Sequence, residues 1–170
     1  MGVGGARSLR MARADGEVCV GMTDAAVPAD EHLIENLLKG FERAGAGGET
    51  VISVYARQLA DRDCGAAERF TRTFNYPEES CIKGQQQLKT MGIKTYFCSN
   101  VCAMYRGDVF RKLGGFEKHT IFNEDMIYAA RAVKAGWRIA YAADAHVYHS
   151  HTYTAKEQFH RNFDNGLAKT

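Results

Sequence analysis

The sequence predicts an α/β fold: a largely parallel sheet flanked by helices. Three observations carry this. Residues 18–22 (VCVGM) form a short apolar run bounded by turn residues, as a buried strand does. Residues 51–57 (VISVYAR) alternate and are rich in β-formers. Between and after them lie segments with apolar residues at helical spacing, and strands alternating with helices define an α/β domain. At 170 residues the whole chain, 1–170, reads as one such domain.

In chain order, residues 5–14 (GARSLRMARA) read as a helix with Leu9, Met11 and Ala12 inward, and Asp15-Gly16 as a turn. After strand 18–22, Thr23-Asp24 ends the run and Pro28 closes the loop. Asp30 is placed to cap a helix, EHLIENLLKGFERA, with Leu33, Ile34, Leu37, Leu38 and Phe41 on one face. Residues 45–48 read as a turn before strand 51–57. ERFTRTFNY can be helical up to Pro77, and the QQQ run at 85–87 reads as a loop or frayed helix. Residues 95–97 are expected as a strand, RGDVFRKLGG as a short helix stopped by Gly114-Gly115, and RIAY (138–141) as a strand, with 146–149 a further extended piece. Thr154 and Glu157 have capping-box spacing at the start of the last helix, which runs towards Gly166.

Composition narrows the function. A net charge of +2 is too small to argue for nucleic acid as a partner. No apolar run approaches the ~20 residues of a membrane helix, and the first sixteen residues lack the apolar segment of a signal peptide. The five cysteines have no C-x-x-C spacing and are expected reduced, as in a cytosol. Cys98 and Cys102 read as small buried apolar residues rather than a metal pair.

The chemically suggestive stretch is residues 120–136, TIFNEDMIYAARAVKAG. It reads as a helix capped by the Asn123 side chain, with Ile127, Ala130 and Val133 towards a core and Gly136 as the stop. Its first turn carries adjacent carboxylates, Glu124 and Asp125. They suit the positive end of the helix dipole, which favours their ionised forms. They also stand on a loop-to-helix corner where a substrate can reach them. In parallel α/β sheets ligands bind beyond the carboxyl ends of strands, and Asp24 sits at such an end.

The segments GGARSLRMARADGEVCVGMTDAAVPAD, ERFTRTFNYPEES, GIKTYFCSNVCAMYRGDVFRKLGGF and TIFNEDMIYAARAVKAGWRIAYAADAHVYHSHTYT together resemble the inverting glycosyltransferases of family 2, and among them the bacterial rhamnosyltransferases. Phe122-Asn123-Glu124-Asp125 is the most specific motif. The resemblance implies an incomplete Rossmann-like glycosyltransferase A-type domain. It also implies a nucleotide-sugar donor, a divalent metal (Mg or Mn) and a glycan or lipid-linked acceptor. Asp125 is then the general base and Glu124 its neighbour. One carboxylate must take the acceptor hydroxyl proton in a single inverting displacement, and such help is typically worth about 10²–10⁴ in rate. Asp24 is expected at the metal and diphosphate, His149 at the metal, Ser99 and Asn100 at the sugar pocket, and Arg161 at a diphosphate or the acceptor. The expected location is cytoplasmic, peripheral to the inner face of the membrane.

Two departures from the family pattern leave alternatives open. The metal-motif acid usually stands three residues before the loop proline; here that place is Ala25, and Asp24 comes one residue early. Asp24 reads equally as a turn-capping residue, and His149 reads first as a surface or core histidine. The resemblance also implies that a strand, a helix and a second strand, which hold the nucleotide base and ribose, belong before the segment corresponding to GGARSLRMARADG. The chain is therefore expected to be the catalytic and acceptor-side portion of the domain. The competing expectation is a non-catalytic remnant that folds and self-associates as a homo-oligomer through exposed sheet edges.

Overall fold

A computed structural model of the chain describes residues 3–43, 50–120, 122–151 and 153–167. Helix α1 (Val3–Arg13) leads into strands β1 (Val18–Met22) and β2 (Val27–Pro28), then helix α2 (Leu33–Glu42) and strand β3 (Val51–Leu59). Helix α3 (Ala66–Asn75), strand β4 (Cys81–Lys83), the short helix α4 (Leu88–Met91) and strand β5 (Cys102–Arg106) follow. Helices α5 (Gly107–Lys112) and α6 (Glu124–Lys134), strand β6 (Arg138–Tyr148) and helix α7 (Ala155–Leu167) complete the chain. The turn expected at 45–48 lies outside the described residues.

The α/β class stands, but the expectation of a mostly parallel sheet is corrected. The strand order is β1-β5-β3-β6-β2, with β4 also on β6. Only β3 and β6 pair in parallel; the β1–β5, β3–β5, β2–β6 and β4–β6 pairings are antiparallel. The sequence predicts no strand at β2, β4 or β5. The first two are two and three residues long, too short to carry a period. In β5 all of Cys102 to Tyr105 are buried, so no alternation marks it.

Alternate side chains of the central strands divide the core in two. On one face Tyr55, Tyr105, Ile139 and Tyr141 join Phe110, Phe116 and Tyr128. On the other, Val54, Met104, Ala140 and Ala142 pack under Leu33 and Leu37 of α2. That helix lies so close that a Cβ on Gly40 would meet Val54 Cγ1 at 2.4 Å. Lys83 is almost fully buried, its amine bonded to Tyr55 OH at 2.9 Å and to the Phe97 carbonyl. Burial pushes the amine down to about 8.

Several local expectations change for tertiary reasons. β1 is an edge strand, so Val20 and Met22 are exposed. In α1 Met11 is inward and Leu9 outward; in α2 Ile34 and Leu38 lie outside the buried stripe. Residues 92–96 form a 3-10 turn rather than leading into a strand, and 138–148 form one continuous strand. α6 buries Tyr128, Ala129, Ala132 and Val133, a face rotated from the expected one. Gly136 stops α6 as expected, at φ +89, and the Thr154–Glu157 capping box forms in both directions.

Candidate active site

Sheet topology draws the chemically suggestive residues to one place. The turn after β1 brings Thr23 and Asp24, and the loop before β5 brings Ser99 and Asn100. The first turn of α6 adds Glu124 and Asp125, the segment after β6 His149 and His151, and α7 Arg161. All line one cavity of about 420 Å³, together with Arg7 of α1. The seven site residues singled out in the sequence thus share a cavity, although Asp24 and Arg161 are 137 positions apart. An adjoining cavity of about 290 Å³ is also lined by Asp125 and His149, and reaches Arg72, Tyr76 and Asn162.

Asp125 is held through both oxygens. Oδ2 accepts the Asn100 backbone N–H at 2.9 Å and Oδ1 accepts the Met126 N–H at 2.8 Å. Its side chain is partly exposed to the cavity, yet burial outweighs these bonds and, with the Glu124 carboxylate next to it, raises its pKa to about 6. For Asp125 the helix-dipole expectation that the ionised form is favoured is corrected: desolvation dominates.

Asn123 does not cap α6 with its side chain. It enters the helix in left-handed backbone, φ 63 and ψ 23, which asparagine tolerates better than most residues. This turn sends the two acids in different directions. Glu124 is buried; its Oε1 accepts from Arg7 Nη1 at 2.6 Å and from Asn100 Nδ2 at 3.1 Å. Asn100 in turn accepts from Tyr105 OH at 2.7 Å through Oδ1. Asn100 therefore holds both acids, and Glu124 Oε1 is committed to protein partners.

His149 is buried at the joint between the two cavities. Gln58 Oε1 accepts from Arg72 Nη1 at 2.7 Å, so that atom is the amide oxygen, and His149 Nδ1, 3.2 Å away, must donate to it. The Gln58 amide nitrogen donates to Ser99 Oγ at 2.8 Å and to Tyr76 OH. Burial, with Arg72, His151 and Arg161 nearby, pushes His149 down to about 4, so its ring is neutral at ordinary pH. Nδ1–H tautomer leaves Nε2 with its lone pair. Arg161 stacks on Tyr153 and Phe122, each centroid 5.4 Å away, and donates to Tyr153 OH at 3.1 Å. It is not a plain solvated residue.

Asp24 is exposed, and its Oδ1 accepts from Thr23 Oγ1 at 3.2 Å. As metal donors, Asp24 offers a carboxylate and His149 an imidazole nitrogen. Among the described residues no three His, Cys, Asp or Glu side chains gather as a ligand group. A protein-only cage is not formed. The Asp24 carboxylate is the donor type that suits an ion of the Mg or Mn type, which takes few protein ligands and completes its shell with phosphate oxygens and water; the imidazole suits such an ion less. The five cysteines are free, and Cys98 and Cys102 are buried.

Arg7, Gln58 and Arg72 were not singled out in the sequence. Gln58 left a faint signal, a polar residue closing an apolar strand; the two arginines left none, since both look like solvated helix positions.

A mixed α/β domain with a curled sheet and an acid pair at a helix start is part of a glycosyltransferase A-type fold. The chain belongs to the glycosyltransferase like family 2, whose model matches residues 2–165. It is 41% identical over 165 residues to an O-antigen chain rhamnosyltransferase of Salmonella typhimurium and equally to one of Salmonella anatum; in each the match takes 96% of this chain and 51% of the relative. The chain spans about half the length of the curated relatives it matches. Among solved structures it resembles S. aureus TarS (TM-score 0.59, 16% identity, 87% of this chain and 40% of that one). It likewise resembles TarS in complex with UDP-GlcNAc (TM-score 0.62, 14% identity, 92% and 41%). At those identities the likeness is one of fold. Among the described residues no helix is long and apolar enough to cross a membrane.

Proposed function

We propose that this chain is the catalytic, acceptor-side portion of an inverting glycosyltransferase that moves rhamnose from dTDP-rhamnose to a lipid-linked or polysaccharide acceptor. One observation carries the reading: Asp125 stands at the junction of two polar cavities, both oxygens oriented by backbone N–H groups, with its pKa raised to about 6. A general base works best when its pKa lies near the working pH. The names of the two Salmonella relatives support the sugar, and the nucleotide-sugar complex of a protein with the same fold supports the donor class.

In the reaction, Asp125 takes the proton of an acceptor hydroxyl as its oxygen attacks the anomeric carbon from the face opposite the leaving group. The bond from that carbon to the diphosphate oxygen breaks, and the electron pair leaves on the diphosphate. Arg161 offers positive charge to the phosphates. A divalent cation of the Mg or Mn type, when bound with the donor, neutralises the departing charge, and Asp24 and His149 Nε2 are the residues that would hold it. Asn100 keeps Asp125 aimed, and Ser99 helps hold Gln58 and thus His149. A lipid-linked acceptor would bring the protein to a membrane surface on the cytoplasmic side.

The test is transfer from dTDP-rhamnose. Asp125→Asn should lower kcat by about 10²–10⁴ while dTDP binding persists; full turnover in that variant removes Asp125 from the mechanism. A second reading, a remnant that folds and self-associates without binding nucleotide sugar, is favoured by the exposed Phe70, Phe74, Phe159 and Phe163. Calorimetry with dTDP, UDP and their sugars, with and without manganese, separates the two: micromolar binding eliminates the remnant.

A further inference from the structure

We propose that the groove beyond the end of β3 is an anion site for a phosphate or diphosphate group, distinct from the cavity that holds Asp24. Four arginines line this groove of about 290 Å³: Arg57 on β3, Arg62 on the loop that follows, and Arg69 and Arg72 on α3. Spacing explains the convergence. Arg69 and Arg72 are three apart and share a helix face, and the short connection from β3 to α3 folds Arg62 back over them. Asp61 is the one carboxylate among the lining residues, and Tyr148 also lines the groove.

The charge is not balanced from within. Arg72 is paired with Glu68 at 2.7 Å, and Arg57 with Glu78 at 3.3 Å, where Glu78 is largely exposed. Arg69 donates to the carbonyls of Arg62 and Cys64 at 3.2 and 3.4 Å, contacts with dipoles rather than charges. Arg62 pairs with no carboxylate among the described residues. Arg62 and Arg69 thus form no ion pair among the described residues, in a concavity where Asp61 is the one carboxylate beside four arginines. Guanidinium forks match phosphate oxygens in bidentate geometry, and the pairing is charge-assisted. A diphosphate, with its several oxygens on two tetrahedral centres, can engage more of these forks than a single carboxylate, the group that Arg57 and Arg72 already hold.

Gln58, Arg72 and Tyr76 form a wall common to this groove and to the smaller cavity at Asp125. Resting on the function proposed above, an acceptor carrying a phosphate or diphosphate can be held here by its charged end while its sugar lies on the other side of that wall.

The experiment is calorimetry of this chain with inorganic pyrophosphate and inorganic phosphate at low ionic strength. Saturable binding is expected, tighter for pyrophosphate, weakened by salt, and weakened by about tenfold or more in the Arg62→Ala/Arg69→Ala double variant. Both residues are exposed, so circular dichroism should find that variant folded. Absence of saturable binding overturns the proposal, as does binding that the double variant leaves unchanged. Sedimentation with phosphatidylcholine vesicles, with and without phosphatidic acid, then assigns the source. Phosphatidic-acid-dependent binding that needs Arg62 and Arg69 assigns the group to a lipid; pyrophosphate binding alone assigns it to a soluble ester. No turnover is required, so failure here leaves the role of Asp125 standing, and failure of that role leaves this site standing.

Discussion

Asn100 holds both acids of the α6 corner: its backbone N–H reaches Asp125 Oδ2 at 2.9 Å and its side-chain amide reaches Glu124 Oε1 at 3.1 Å. One residue before β5 thereby sets the separation between a braced carboxylate and one that faces the cavity. The adjacent acids are not equivalent, and their difference yields the first two predictions.

With its pKa raised to about 6, Asp125 is ionised at pH 7 and protonated at pH 5. The kcat/KM for transfer should fall on a one-proton limb near pH 6; a flat profile from pH 5 to 8 contradicts this. The same shift acts on stability. The folded pKa exceeds the ordinary 3.8, so this group favours folding most below 3.8 and loses that contribution as pH rises through about 6. Urea midpoints of the wild type relative to Asp125→Asn should decline across that window.

Glu124 acts through its neighbours. Glu124→Gln keeps an acceptor for Asn100 but loses the ion pair with Arg7. It should cost about tenfold in kcat, well short of Asp125→Asn. Arg7→Ala leaves a buried carboxylate short of a partner and should cost about 1–3 kcal/mol in urea unfolding. In the Glu124→Gln background that cost should shrink. Equal costs in both backgrounds would show that the two side chains are uncoupled.

Gln58 sets the tautomer of His149. Wild-type protein should carry the proton on Nδ1, read from nitrogen-15 shifts of labelled histidine. Gln58→Leu removes the acceptor, and a mixture of Nδ1–H and Nε2–H forms is expected. An unchanged tautomer would mean that another group orients the ring.

Asn123 tests the backbone of the corner. At φ 63, glycine is unstrained and a β-branched residue is not. Asn123→Val should be about 1–2 kcal/mol less stable than Asn123→Gly. Both variants lose the asparagine side chain, so the difference in urea midpoint isolates the backbone. Equal midpoints would contradict a left-handed corner.

How much was legible follows from where each signal resides. The α6 acids, the Gly136 stop, the Thr154–Glu157 box and strand 51–57 rest on neighbours within a few residues, and local spacing reports them. The antiparallel pairing of β5 between β1 and β3 does not. Both faces of β5 are buried, so its pattern is uniform, and pairing direction is chosen by partners far away in the chain. The helix patterns point Leu9 and Ile34 inward and the fold leaves them exposed, because such a pattern defines a stripe but not where the sheet ends.

The sequence by itself determined the family likeness and the position of the acids at a helix start, because a motif and a cap are contiguous. Tertiary structure alone decided what those acids are. Arg7 reaches Glu124 across 117 positions, Asn100 reaches Asp125 across 25, and Gln58 reaches His149 across 91. Burial then reverses the sign expected from the helix dipole, raising Asp125 where a solvated helix end would lower it. Desolvation depends on what surrounds a carboxylate in space, and adjacency in the chain does not specify that.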